Sequence, residues 1–196
     1  MQRNYNNKTQ TSIFETPSMQ KAQSFLEIFY EREKEHPNKV WLRQPEGKHW
    51  HEYSWRHVGE QARKLLTVLR EQGLKPGDHV GLLSKNCYQW FVADLAILMG
   101  GFVSVPFYPT LPADDLKEVI QLSHIKALFV GKLEHWETQR AGIPDNISCI
   151  AFPHYPGNSK VDGALQWDDI MRNYKPAKKV HTPKRDELFT IIYTSG

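Results

Sequence analysis

Between Val80 and Val130 the chain repeats one pattern, a short β-prone apolar run followed by a stretch carrying helix signals. Val80-Gly81-Leu82-Leu83 gives way, after Ser84-Lys85-Asn86, to Tyr88 through Met99, which is apolar on nearly every side and reads as a helix buried between layers. Gly100-Gly101 breaks that helix, and Phe102-Val103-Ser104-Val105-Pro106 is short and β-prone enough to be a central strand. A further helix from Pro112 has Asp114 and Asp115 near its positive end and Leu116, Val119 and Ile120 on its inner face. It leads to the strand Ala127-Leu128-Phe129-Val130. Strand, helix, strand, helix, strand at this spacing requires right-handed crossovers. The predicted fold is therefore α/β, a largely parallel sheet covered by helices on both faces.

The flanks extend this unit. Ala22, Phe25, Leu26 and Phe29 recur at helical spacing between Gln20 and about Glu35, and the charge run Glu31-Arg32-Glu33-Lys34-Glu35 reads as a solvated face. Pro37 closes the helix. Val40-Trp41-Leu42-Arg43 and Trp50-His51-Glu52-Tyr53 then bracket the turn Pro45-Glu46-Gly47-Lys48 as a hairpin. Ser54 is placed to cap a helix whose stripe is Val58, Ala62, Leu65, Leu66 and Leu69, and Gly73 with Pro76 ends it. Later, residues 147–152 read as a strand, 154–163 as a polar loop and 167–171 as a short helix.

Residues 174–187 carry Lys175, Lys178, Lys179, Lys184 and Arg185 between prolines, a composition that suits an exposed basic linker. The field of that linker would help draw in an anionic ligand, although a solvated connector is the plainer reading. With 196 residues and 40% hydrophobic content the chain supports one sizeable core, so residues 1–18 read as a flexible tail and 19–196 as one domain.

A net charge of +3 from 25 basic and 22 acidic residues is too balanced to call for nucleic acid. Cys87 and Cys149 have no paired spacing for zinc or redox chemistry, which fits a reducing cytoplasm. Residues 1–11 lack the apolar core of a signal peptide, and no run approaches the ~18 apolar residues of a spanning helix. His49 and His51 alternate on a strand but lack a third ligand at a telling interval, so they read as surface histidines and no metal ligand is assigned. Trp90 and Phe91 read as core. Asp94 on the same apolar helix would need a partner if buried, with Lys85, Lys117 or a backbone donor as candidates.

Leu188-Phe189-Thr190-Ile191-Ile192 reads as a buried strand, and it opens into Tyr193-Thr194-Ser195-Gly196. A strand that ends in small hydroxyl residues and glycine can aim N–H groups and hydroxyls at a phosphate. The same tetrapeptide is also an ordinary polar turn. Tyr108-Pro109-Thr110 sits just past another strand end, where open α/β sheets place ligand crevices, and equally reads as a rigid turn before the next helix.

Several segments in order resemble the AMP-forming adenylate enzymes, the superfamily of acyl-CoA synthetases, luciferases and peptide-synthetase adenylation domains. They are residues 33–42, Tyr53-Ser54-Trp55, residues 74–82, Asn86 and Trp90, residues 100–106, Tyr108-Pro109-Thr110-Leu111, and residues 186–196. Phe107 through Leu111 and Thr190 through Gly196 look most like the N-terminal part of long-chain fatty acid:CoA ligases. Medium-chain ligases and fatty acyl-AMP ligases fit the same residues.

The resemblance implies a two-step reaction. A fatty acid carboxylate attacks the α-phosphate of Mg2+-bound ATP to give acyl-AMP and pyrophosphate, and the thiolate of CoA then displaces AMP. By the same likeness Tyr193, Thr194, Ser195 and Gly196 form the start of the nucleotide-binding loop, with Thr194 or Ser195 close to the magnesium. The family's catalytic lysine, metal-binding glutamate and ribose-binding aspartate are expected beyond Gly196, so no catalytic residue is assigned and the chain alone is expected to be inactive. Fatty acid, ATP and CoA are the implied partners, and peripheral membrane contact or a homo-oligomer is compatible with the resemblance. A reading from another class is a non-catalytic nucleotide- or partner-binding α/β module. The strand before Tyr193 is expected to lack its covering helix and to leave apolar surface open.

Overall fold

The computed structural model describes residues 23–184 and 186–194. Helix α1 (Phe25–Glu35) starts at a capping box in which Ser24 Oγ accepts from Glu27 N at 3.2 Å and the Glu27 carboxylate accepts from Ser24 N at 2.7 Å. That box sets the start at Phe25 rather than Gln20, and Gln20 and Ala22 lie outside the described residues. Strands β1 (Val40–Glu46) and β2 (His49–Ser54) form the expected antiparallel hairpin, turning at Gly47, whose φ is +60°. Helix α2 (Trp55–Glu71) follows with Ser54 Oγ accepting from His57 N, and Val58, Ala62, Leu65, Leu66 and Leu69 are wholly buried.

The alternating unit then runs β3 (His79–Ser84), α3 (Tyr88–Met99), β4 (Val103–Phe107), α4 (Ala113–Ser123) and β5 (Ile125–Gly131). Beyond it lie α5 (Trp136–Gln139), β6 (Ser148–Ala151), β7 (Leu165–Gln166) and α6 (Trp167–Asn173). The five strands pair in the order β4-β3-β5-β6-β7, every pair parallel. One core, with Phe29, Leu65, Leu95 and Phe129, packs α1, α2, α3 and α6 on one face. A second, with Val105, Leu116, Leu128 and Trp136, packs α4 and α5 on the other. Gly81 lies between them in β3, where a Cβ would come within 2.6–2.9 Å of the Leu128, Phe107 and Ile125 side chains.

Several expectations require correction. Residues 188–192 are not a buried strand: Leu188, Phe189 and Ile192 are 57%, 57% and 64% exposed, and the stretch makes only an isolated parallel bridge, Ser104 to Thr190, because nothing among the described residues covers its outer side. Phe91 is 46% exposed rather than core, since it shares the least covered face of α3 with Trp90 and Asp94. Glu33 leaves the solvated face of α1 to pair with Arg63 of α2. The basic stretch after α6 is docked as well as extended: Ala177 N donates to Arg63 O, Arg70 Nη1 to Lys179 O, and Tyr174, Ala177 and Val180 pack on the first core. Helix α5 and strand β7 are too short for periodicity to reveal.

Candidate functional site

Because every strand of the main sheet is parallel, all carboxyl ends open on one edge, the edge where α/β proteins bind ligands. The stretch 188–192 joins this edge alongside β4. Ser104 N donates to Phe189 O at 2.8 Å and Ile191 N donates to Ser104 O at 2.9 Å. Counting equal steps forward from the Ser104–Thr190 bridge brings Tyr193 level with Phe107, the last residue of β4.

A cavity of about 410 Å³ lies there, bounded by Phe107, Tyr108, Thr110 and Leu111 on one side and Tyr193 and Thr194 on the other, with Val119 of α4 beneath. The two motifs singled out in the sequence, Tyr108-Pro109-Thr110 and the tetrapeptide start, therefore meet in space. Tyr193 packs on the second core and Thr194 is exposed, while Ser195 and Gly196 lie outside the described residues. A larger groove of about 710 Å³, between α2 and α6, is lined by Thr67, Glu71, Asp169, Asn173, Tyr174 and Lys175 and contains none of the strand-end residues that bound the smaller cavity. Of the candidate phosphate-binding residues, Tyr193 and Thr194 line the smaller cavity.

The loop after β4 is braced from a helix that sequence reading missed. Gln139 of α5, 3% exposed, donates through Nε2 to Pro109 O at 3.0 Å and to Leu111 O at 2.8 Å. Trp136 anchors α5 in the second core, and its apolar bulk is the sequence signal that something is buried there.

Below β4, Asp94 finds neither Lys85 nor Lys117. Burial pushes its carboxyl up, and the Ser104 hydroxyl, close enough to oppose that shift, is its polar neighbour. Ser104 Oγ is itself buried with no partner in full hydrogen-bonding geometry, so the contact relieves the carboxylate incompletely. Lys85 instead pairs with Glu134 at 2.5 Å.

Ahead of the site, His181 Nε2 lies 2.7 Å from the Glu187 carboxylate, which also accepts from Lys184 N at 2.9 Å. The Lys184 amide and then the His181 ring hold the Glu187 carboxyl below its usual value. His181 carried no signal in the sequence: Glu187 is six residues on, but Tyr30 and Met99, which hold its backbone, are remote in the chain. His49 and His51 are exposed on β2, with His51 Nε2 3.0 Å from Glu46.

Residues 29–196 match the AMP-binding enzyme family. The chain belongs to that family. It is 40% identical over 157 residues to long chain acyl-CoA synthetase 7, peroxisomal, of Arabidopsis thaliana, covering 74% of the chain and 22% of the relative. It is 30% identical over 172 residues to the long-chain-fatty-acid–CoA ligase FadD15 of Mycobacterium bovis, covering 86% of the chain and 28% of the relative. The fold is that of acetoacetyl-CoA synthetase from Streptomyces lividans, with TM-score 0.75, 21% identity, and coverage of 87% of the chain and 28% of that structure. It is likewise that of the anthranilate CoA ligase AuaEII bound to anthranoyl-AMP, with TM-score 0.72, 20% identity, and coverage of 87% and 32%. The chain thus spans less than a third of the length of these relatives. No helix among the described residues is long and apolar enough to cross a membrane.

Proposed function

We propose that the chain is the N-terminal part of the adenylation domain of an AMP-forming long-chain fatty acid:CoA ligase. The observation that carries this reading is the convergence of Tyr193 and Thr194 with the Tyr108–Leu111 loop at the carboxyl edge of the sheet, in a chain 40% identical to a long-chain acyl-CoA synthetase. In this role the Thr194 hydroxyl, with Ser195 and the backbone N–H groups around Gly196, donates to nucleotide phosphate, where negative charge crowds as the acyl carboxylate attacks.

Among the described residues no three His, Cys, Asp or Glu side chains converge on a point that would hold a metal. These side chains alone do not fit a magnesium site. The apolar side of the cavity, from Phe107 and Leu111, suits a hydrocarbon substrate better than a polar one. Cys87 and Cys149 are free thiols, which suits a reducing compartment such as the cytoplasm.

The chain supplies phosphate donors but no identified acid, base or cation to drive either half-reaction, so on this reading it is inactive alone. The test measures fatty-acid-dependent pyrophosphate release and CoA-dependent AMP release, on this chain and on the native gene product from its source cells. Expected are a native product several times the mass of this chain that carries out both steps, and no turnover by the chain itself. A native product of this length without turnover that still binds ATP would replace the ligase reading with a binding module.

A further inference from the structure

Leu188, Phe189 and Ile192 are each more than half exposed, so apolar burial does little to keep residues 188–192 on β4. Two backbone hydrogen bonds to Ser104 hold the stretch directly, and a short edge pairing beside open water frays readily. The chain is fixed much more firmly one corner earlier. His181 N donates to Met99 O at 2.7 Å, and Tyr30 Oη donates to His181 O at 3.0 Å. The His181 ring lies against Gly101, a residue with φ of +69° where an added Cβ would come within 3.0 Å of the ring. Across the corner, the ring and the Lys184 amide both bind the Glu187 carboxylate.

This corner joins α1, the turn between α3 and β4, and the residue immediately before Leu188. Burial pushes the Tyr30 phenol up to about 12, so it remains a donor to His181 O throughout the ordinary pH range. Each extended residue spans roughly 3.3 Å and alternates its face. A slip of one residue at Glu187 would therefore move Tyr193 off its place beside Phe107 and turn the Thr194 hydroxyl away from the cavity.

We propose that His181 and Glu187 are positioning residues for the phosphate loop: the corner they close sets the register of residues 188–192 on β4 and so delivers Tyr193 and Thr194 to the Tyr108–Leu111 loop. The consequence for nucleotide binding rests on the ligase reading above, whereas the register itself is measurable without nucleotide.

The deciding measurement is amide hydrogen exchange on the full chain, read at Ile191 and Ser104, with Leu82 and Phe129 in the central strands as references. His181→Ala and Glu187→Ala are expected to speed exchange at the two edge amides about tenfold or more, with the reference amides unchanged. Glu187→Gln keeps an acceptor for the Lys184 amide and the His181 ring, and is expected to restore most of the protection. Unchanged protection at Ile191 in both alanine variants overturns the proposal. So does an equal loss at the reference amides, which would mark general destabilisation.

ATP titration of the same proteins separates this proposal from the ligase reading. A Kd raised about tenfold by each alanine variant and recovered by Glu187→Gln is expected. Loosened edge amides with an unchanged Kd overturn the link to the loop. A wild-type chain that binds no ATP sinks the phosphate-loop reading, and the exchange result then decides the corner by itself.

Discussion

Arg63 of α2 grips Glu33 of α1 end-on, Nη1 and Nη2 lying 2.6 and 2.5 Å from the two carboxylate oxygens, with both side chains largely shielded from solvent. The room for this fork comes from Gly59, one turn earlier on α2: a Cβ there would collide with Glu33 Oε1 and reach Arg63 Nη1. Glycine inside a helix costs about 1 kcal/mol against alanine. A bidentate pair that is screened from water offsets this, because breaking it strands a charge.

Gly59→Ala should therefore destabilise the chain despite its better helix propensity, and Arg63→Ala and Glu33→Ala should each cost about 2–3 kcal/mol in urea unfolding. The double variant should cost much less than the sum of the two singles. Full additivity would show that the two side chains do not support one another.

Asp94 gives a prediction with a definite sign. Its folded-state pKa is raised, chiefly by burial. The folded chain therefore holds this proton more tightly than the unfolded chain. Stability is lost as pH rises from the unfolded carboxylate pKa of about 4 through the raised folded value, and the loss is complete above it. Asp94→Asn should raise the melting temperature at neutral pH and flatten this part of the pH profile. A lower melting temperature in the variant at pH 7 would mean that the charged form is needed by a partner other than Ser104.

The open flank of residues 188–192 should bind a hydrophobic dye. Leu188, Phe189 and Ile192 present neighbouring apolar side chains to solvent. Leu188→Ser with Ile192→Ser should lower dye fluorescence while shifting unfolding free energy by less than about 1 kcal/mol, as expected for exposed positions. Dye binding that is absent in the parent chain, or unaffected by the substitutions, would show that the flank is covered in solution.

The central unit was legible because its signals are local and agree with one another. The Ser54 cap, the α2 stripe, the Gly100-Gly101 break and the near-continuous apolar α3 each specify structure without reference to distant residues. What failed to show in the sequence depends on remote partners. Glu33 looks like its neighbours in a charge run until Arg63 arrives from another helix, and Gln139 looks like any surface glutamine until two loop carbonyls face it. The composition of residues 188–192 signals a buried strand, whereas their exposure agrees with the expectation that this strand leaves apolar surface open, because composition reports the wish to be buried and not whether a cover is at hand.

The parallel bridge between Ser104 and Thr190 also has a kinetic meaning. Every other pairing of the main sheet can zip from one crossover to the next, whereas this one must wait for residues 188–192 to return across β5, β6 and β7 to the far side of β4. Closing so long a loop for two hydrogen bonds is a poor entropic exchange early in folding. The cavity edge should therefore be the last part of the chain to assemble, with an otherwise complete sheet waiting for it.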